Sequence, residues 1–186
     1  MGLHLTVWTP VAAAHAAAFY LNRILRKAAA EFSWTAAVLI VAMLVAETPR
    51  QYLGVALLIF AVPLFELGFR TRLREFRYQA YGASLLGAGA ALFLNVIGPD
   101  SNWKWQWLPI AIATLVSYAT AIRVRKSETD RMGDEEATTL RRAGSVAAAV
   151  FSLALVWKLA PGDYLGLAWI ALGAMLFELS LRGLPS

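Results

Sequence analysis

Apolar residues follow one another along most of this chain, in seven runs separated by short polar segments. The runs cover residues 5–21, 32–46, 52–69, 79–98, 107–122, 143–160 and 164–181. A helix that crosses a bilayer needs about 20 predominantly apolar residues. Most of the runs have that length. The second is short, and it must either include residues 28–30 or lie in locally thinned lipid. The pattern therefore predicts an all-α fold, a polytopic transmembrane helical bundle of about seven spans.

The composition of the chain supports this interpretation. Of its 186 residues, 59% are hydrophobic and 16% are charged. Soluble domains carry about 25% charged residues and about 45–50% apolar ones, so both fractions are displaced toward those of membrane proteins. A soluble enzyme is excluded on this ground. The chain contains no cysteine, which excludes disulfide bonds and cysteine-based metal sites.

The positions of the basic residues predict how the chain is oriented. The 17 Lys and Arg fall in short clusters between the apolar runs. If the cluster at 23–27 is cytoplasmic, strict alternation of the spans places fourteen basic residues inside and three outside: Arg50, Lys104 and Lys158. This asymmetry puts the amino terminus outside and the carboxyl terminus in the cytoplasm. Clusters of this kind do not form a nucleic-acid-binding surface, and no nucleic-acid partner is expected.

A repeat within the sequence suggests how the helices are organised. Residues 36–70 align without a gap on residues 148–182, with fourteen identities in 35 positions. A Pro-x-x-Tyr-Leu-Gly turn and a Leu-Phe-Glu-Leu-x-x-Arg ending recur in register, and residues 107–125 form a weaker third copy. The two main copies lie four spans apart, so the repeats are predicted to be tandem, parallel helical hairpins.

These boundaries define one transmembrane domain over residues 1–186. Its expected parts are an amino-terminal helix (1–28), hairpin 1 (29–78), hairpin 2 (79–126), an inner loop (127–142) and hairpin 3 (143–186).

The hairpin motifs are similar to those of an uncharacterised bacterial family of predicted multi-pass membrane proteins. The similarity rests on the Tyr-Leu-Gly-x-Ala segments at 52–56 and 164–168, the Leu-Phe-Glu-Leu endings, and the Arg-rich run at 72–79, and it covers residues 30–182. The resemblance implies strings of Ala- and Leu-rich helix pairs that end in Arg-rich inner loops. It brings no catalytic residues with it.

Two carboxylates, Glu66 and Glu178, lie deep in apolar runs and at equivalent positions of the repeat. Ionisable residues within spans are often functional. Each of these stands four residues before an arginine, Arg70 or Arg182, and a Glu-to-Arg pair in that order shares one helix face. The sequence favours structural ion pairs near the inner interface, with ion or proton coupling as the alternative.

Small residues form the other notable pattern. Ala83, Gly87 and Ala91 recur every four residues, which predicts a stripe where helix backbones approach closely. Cofactors and metals are not expected: the two histidines, His4 and His15, lie eleven positions apart, and no nucleophile or phosphate-binding motif is present.

These observations favour one function class and leave a second open. We expect an integral protein of the bacterial inner membrane, a structural or accessory subunit that acts through helix packing and is not an enzyme. Its partners would be the lipid bilayer and other membrane subunits or a second copy of itself. The alternative is a small transporter or channel for a small or lipidic substrate.

The predicted orientation can be tested directly, because the chain has no native cysteine. Asn102→Cys and Gly162→Cys should react with an impermeant thiol reagent added to intact cells. Thr71→Cys and Ser127→Cys should react only after the membrane is opened. Labelling of Ser127→Cys in intact cells would contradict the assignment.

Overall fold

Seven α-helices account for most of the residues described by the computed structural model, which are 8–27, 29–98, 105–124 and 132–181, and this part of the chain contains no β-strand. The helices are α1 (Trp8–Arg26), α2 (Ala30–Glu47), α3 (Arg50–Thr71), α4 (Arg74–Leu92), α5 (Trp107–Arg123), α6 (Asp134–Leu159) and α7 (Leu165–Leu181). The all-α prediction is confirmed, and each apolar run corresponds to one helix. His4, Asn102, Ser127 and Arg182 lie outside the described residues.

Four of these helices are long and apolar enough to cross a membrane. They are α2, α3, α6, and α4 taken together with the π-helical turn Phe93–Ile97 that continues it. Helix α5 is apolar but shorter, at 17 residues. The described helices are thus compatible with a membrane protein.

The chain forms two compact units, and the division falls within α4. Unit 1 comprises residues 1–87 and unit 2 comprises residues 88–186. In unit 1, α1 packs along α2, and α2 is followed by α3 and the first part of α4. Its core is rich in aromatic and aliphatic side chains: Leu57, Leu58, Phe65, Phe69 and Phe76.

In unit 2, α5 and α6 form a closely packed pair, and α7 contacts α6. Gly144 of α6 makes the close approach possible, since a Cβ atom there would lie 3.1 Å from the Cβ of Ala121 and 3.3 Å from the carbonyl oxygen of Ser117. Ala113, Ala148 and Ile110 are fully buried beside this contact. Small side chains therefore set the distance between the two backbones.

Two connections show how the sequence ends one helix and begins the next. Arg72 adopts the left-handed conformation, with φ of 59°, at the carboxyl end of α3, so the chain reverses within two residues and α4 begins at Arg74. Helix α6 begins at Asp134, nine residues before the apolar run at 143–160. Its first turn carries three acidic residues, which interact favourably with the positive end of the helix dipole.

The inner loop expected at 127–142 is therefore shorter than the apolar pattern indicated, because polar residues with good helix-starting properties extend α6 toward it. The π-helical turn at Phe93–Ile97 was also not anticipated.

Candidate functional site

The predicted small-residue stripe lies on a buried face of α4. Ala83, Gly87 and Ala91 are all buried. A Cβ atom at Gly87 would lie 2.9 Å from the carbonyl oxygen of Gly54, and equally close to the backbone nitrogen and Cγ of Leu58. The backbones of α3 and α4 meet at this level with no space for a side chain. Gly89, two residues further on, has open space where its Cβ would stand.

A second close approach joins the other ends of the same two helices. A Cβ atom at Gly68 of α3 would lie 2.6 Å from Cγ of Arg77 and 2.9 Å from its backbone nitrogen. Arg77 is buried here, with its aliphatic stem across Gly68. Arg77 therefore packs within the hairpin, whereas Arg70 at the end of α3 is exposed.

Polar side chains connect α4 to the first two helices. The amide of Gln79 accepts a hydrogen bond from the hydroxyl of Tyr20, at 3.3 Å, and donates one to the hydroxyl of Ser33, at 3.1 Å. Ser33 in turn donates to the carbonyl oxygen of Ala30, at 2.8 Å. Ser33 and Gln79 are buried, so each of these polar groups requires a partner. We call Tyr20, Ser33 and Gln79 the polar triad.

An ion pair stands one helical turn from the triad. The guanidinium of Arg23 donates from Nε to Oε1 of Glu75, at 2.6 Å, and both side chains are mostly buried. Toward the opposite end of α1, the hydroxyl of Thr9 donates to Glu47 at the end of α2, also at 2.6 Å. The ring centroids of Tyr20 on α1 and Phe76 on α4 lie 5.8 Å apart. Helix α1 is thus fixed to its neighbours by directional contacts along its length.

The carboxylates selected from the sequence have different surroundings. Glu66 Oε1 accepts from Arg70 Nε at 2.8 Å, within one face of α3, and the side chains are 33% and 74% exposed respectively. A pair this exposed contributes little to stability. Glu178 is exposed on α7. Its expected partner, Arg182, lies outside the described residues.

A groove runs along the surface of unit 1 beside the polar triad. Its volume is about 390 Å³, and its walls come from α2, α3 and α4, with Trp34, Val38, Phe60, Tyr78 and Gly82 among the lining residues. Gly82 lines the groove, and a Cβ atom there would meet nothing within 4 Å. Nearly all of the lining is apolar, as in a surface that contacts lipid chains.

Asn95 is the main polar group buried at the π-helical turn of unit 2. Its Nδ2 donates to the carbonyl oxygen of Ala91, at 3.2 Å, whereas its Oδ1 is buried without a hydrogen-bond partner. The wide turn places the Gly98 nitrogen 2.6 Å from the Phe93 carbonyl oxygen. Such turns often occur at functional positions. Elsewhere in unit 2, Lys158 donates to the Gln106 side chain at 3.2 Å.

Among the residues that the structure describes, no group of three or more His, Asp or Glu side chains is placed to hold a metal ion. His15 Nδ1 lies 2.7 Å from the carbonyl oxygen of Val11 on its own helix.

Sequence reasoning selected Ala83, Gly87 and Ala91 from their spacing but missed the polar triad and Asn95. The triad residues are 46 and 59 positions apart, so their contacts depend on tertiary packing. One signal was present: Ser33 and Gln79 are uncharged polar residues near the ends of apolar runs, where a buried hydrogen bond between helices is common. Nothing in the local sequence at 93–97 indicated the π-helical turn.

No protein-family model, curated protein sequence or solved structure matches this chain. Its fold and its candidate sites are therefore interpreted from its own residues.

The contact at Gly87 should be sensitive to added bulk. Gly87→Leu would force α4 away from Gly54 and Leu58, and overpacking of this kind costs about 1–3 kcal/mol. We expect a lower unfolding temperature in lipid or mild detergent. Gly89→Leu is the matched control, because its side chain enters open space; equal destabilisation by both changes would remove the case for a specific contact.

The polar triad should behave as a coupled unit. Gln79→Leu leaves the Tyr20 hydroxyl without its acceptor and should cost about 1–3 kcal/mol of unfolding free energy. Adding Tyr20→Phe removes the orphaned hydroxyl, so the double variant should lose less than the sum of the single changes. Tyr78→Phe, at an exposed tyrosine of α4, is the control. Strict additivity in denaturation experiments would show that the triad is not coupled.

Proposed function

We propose that this chain is a multi-pass integral membrane protein that acts as a structural or accessory subunit through helix packing. The observation that carries the proposal is the distribution of large apolar side chains, which are exposed on all seven helices. Examples from successive helices are Leu25, Val38, Ile59, Leu85, Leu115, Val146 and Ile170. In water such a surface would aggregate, whereas lipid or partner helices cover it without cost.

The described polar contacts support the same function. The ion pair of α1 with α4, the triad and the bond from Thr9 to Glu47 each join one helix to another within unit 1. Interhelical hydrogen bonds of this kind position helices in lipid. Together with the glycine contacts they describe a scaffold whose internal packing is specific and whose outer surface is available for association.

The proposed topology has seven spans, an outer amino terminus and a cytoplasmic carboxyl terminus in the inner membrane. It rests on the 17 basic residues, fourteen of which then lie on the cytoplasmic side. The tandem parallel hairpins remain part of this proposal. The relation to the uncharacterised multi-pass family is likewise an interpretation of the shared motifs.

Substitutions at Glu66 and Glu178 distinguish the proposed structural function from transport. If Glu66 only pairs with Arg70 on the helix surface, Glu66→Gln should lose about 0.2–0.5 kcal/mol at most, since the amide still accepts a hydrogen bond. We expect both Glu66→Gln and Glu178→Gln to restore the wild-type phenotype when they are expressed in a strain from which the gene is deleted. Glu66 should be the more sensitive of the two, because Pro63 leaves the helix turn before it without one backbone hydrogen bond.

The packing variant gives the comparison. Gly87→Leu alters the packing of α3 against α4. At the same expression level as the Gln variants, it should restore the wild-type phenotype of the deletion strain only weakly. A transporter would show the reverse order: a well-folded Glu66→Gln protein without activity, and a milder effect of Gly87→Leu. That result would make transport the leading function.

A further inference from the structure

The groove of unit 1 runs along the helices. Its wall on α2 extends from Trp34 to Ala42, its wall on α4 extends from Tyr78 to Ala83, and Phe60 of α3 also lines it. These three helices are among those long and apolar enough to cross a membrane. The groove therefore lies in the part of the chain that would contact lipid.

Both walls start near one end of unit 1. The hydrogen bond from Gln79 to Ser33 joins the first two turns of α4 to the first turn of α2, so the two helices begin at the same end. Trp34 and Tyr78 each lie about one turn into their helix. The groove thus has its entrance at this end and continues toward the middle of the helices.

The dimensions of the groove match a single acyl chain. From Trp34 to Ala42, α2 rises about 12 Å, and the volume of about 390 Å³ spread over that length corresponds to a mean width of about 6 Å. A helix with its side chains is about 10–12 Å across, so the groove is too narrow to enclose one. Carbon atoms in contact lie about 3.5–4.0 Å apart, and one methylene chain therefore fills a channel of this width.

The character of the walls changes along the groove. Trp34 and Tyr78 at the entrance are about half exposed, and tryptophan and tyrosine favour the boundary between lipid chains and headgroups. Beyond them the lining is small and aliphatic: Ala37 and Ala83 are buried, and Val38 is exposed. A molecule with one polar end and a long apolar chain matches this order.

Basic residues are in excess at the end where the groove begins. Residues 23–31 and 66–77 contain seven Lys and Arg against three Glu, whereas the opposite ends of the described helices of unit 1 carry one charge of each sign, Glu47 and Arg50. Arg74 is exposed and stands four residues before Tyr78, which places the two on one face of α4. This distribution of charge favours an anionic headgroup at the entrance.

We propose that the groove of unit 1 binds one anionic phospholipid, with an acyl chain between α2 and α4 and the phosphate beside Arg74 and Trp34. This inference rests on the proposed function, because it requires the chain to lie in a membrane, and it names a lipid partner. Moving an acyl chain from bulk lipid into the groove gains little, since both surroundings are apolar. Selection therefore depends on the fit of the chain and on the charge of the headgroup, which are tested separately.

Filling the groove tests the fit of the acyl chain. Gly82 lines the groove and has open space at its Cβ, so Gly82→Leu occupies the groove without disturbing the fold. The full chain in mild detergent is titrated with dioleoyl phosphatidylglycerol, and the bound lipid is counted by native mass spectrometry. The wild-type protein should bind one lipid with preference, and Gly82→Leu should weaken that binding by about tenfold or more.

Gly89→Leu is the matched control, because Gly89 lies on the same helix and also has open space at its Cβ but does not line the groove. It should bind the lipid as the wild type does. Ala42→Leu narrows the opposite wall and should act as Gly82→Leu does. Unchanged binding in both groove variants, or an equal loss in Gly89→Leu, would overturn the proposal.

The headgroup is tested by comparing two lipids with the same acyl chains. The wild-type protein should bind phosphatidylglycerol more tightly than phosphatidylcholine, and Arg74→Gln should reduce this preference by about fivefold. Arg50→Gln is the control, because Arg50 is also exposed but lies at the opposite end of α3. Equal binding of the two lipids by the wild type, or an unchanged preference in Arg74→Gln, would contradict an anionic headgroup at the entrance.

A second measurement locates the acyl chain. A phosphatidylglycerol with a photoreactive group in one acyl chain is mixed into phosphatidylcholine vesicles that contain the full chain. Labelling should concentrate on residues 34–42 and 78–83, and Gly82→Leu should reduce it there. Helix α7 is the comparison surface, because large apolar residues such as Leu167 and Ile170 are exposed on it without a groove. Equal labelling of α7 and the groove would show a general lipid contact and overturn the proposal.

The outcomes also separate this proposal from the proposed function. A photoreactive residue in place of Val38 that cross-links to another protein in native membranes, and not to lipid, would overturn the lipid site and leave the accessory function standing. Specific binding of phosphatidylglycerol in the groove, together with loss of the cellular phenotype in a well-folded Glu66→Gln protein, would support the lipid site and overturn the accessory function.

Discussion

The close backbone approach between α3 and α4 is the constraint on which the rest of unit 1 depends. Lipid chains are as apolar as leucine, so burying leucine between helices in a membrane gains little, and association comes from close packing and hydrogen bonds. Gly68 and Gly87 lack the side chains that would hold the two helices apart. The left-handed Arg72 then allows the chain to turn from one helix into the other within two residues.

Once α4 is fixed against α3, its other residues become available to α1 and α2. Glu75 and Gln79 lie one turn apart, and they contact Arg23 and Tyr20, which are three residues apart on α1. Gln79 also reaches Ser33 of α2. Because Ser33 and Gln79 are buried and the other three side chains are partly buried, their hydrogen bonds specify one arrangement of the three helices. A shift of one residue along any of these helices would leave polar atoms without partners.

The sequence predicted the helices well because each is an apolar run bounded by charged or turn-forming residues. Gly87 could be selected from the sequence, since a four-residue period of small residues is visible in one dimension. It could not show that Gln79 meets Tyr20 and Ser33, or that Arg77 packs across Gly68, because those contacts join residues whose separation is set by the packing of whole helices. The sequence analysis missed the early start of α6 at Asp134 for a different reason. The first turns of this helix are polar, and a search for apolar runs does not detect polar helical turns.

The aligned segments show which properties a repeated sequence preserves. The Pro-x-x-Tyr-Leu-Gly turn has the same hydrogen bonds in both copies, because local geometry depends on the residues of the turn itself. Burial depends on what lies next to the helix, so Gly54 is enclosed and Gly166 is exposed although their immediate sequences match. A glycine retained at a position with no neighbour within the described chain costs helix stability relative to alanine, by about 0.5–1 kcal/mol. The matching residues therefore determine the turn, whereas the packing of each helix is determined by the helices around it.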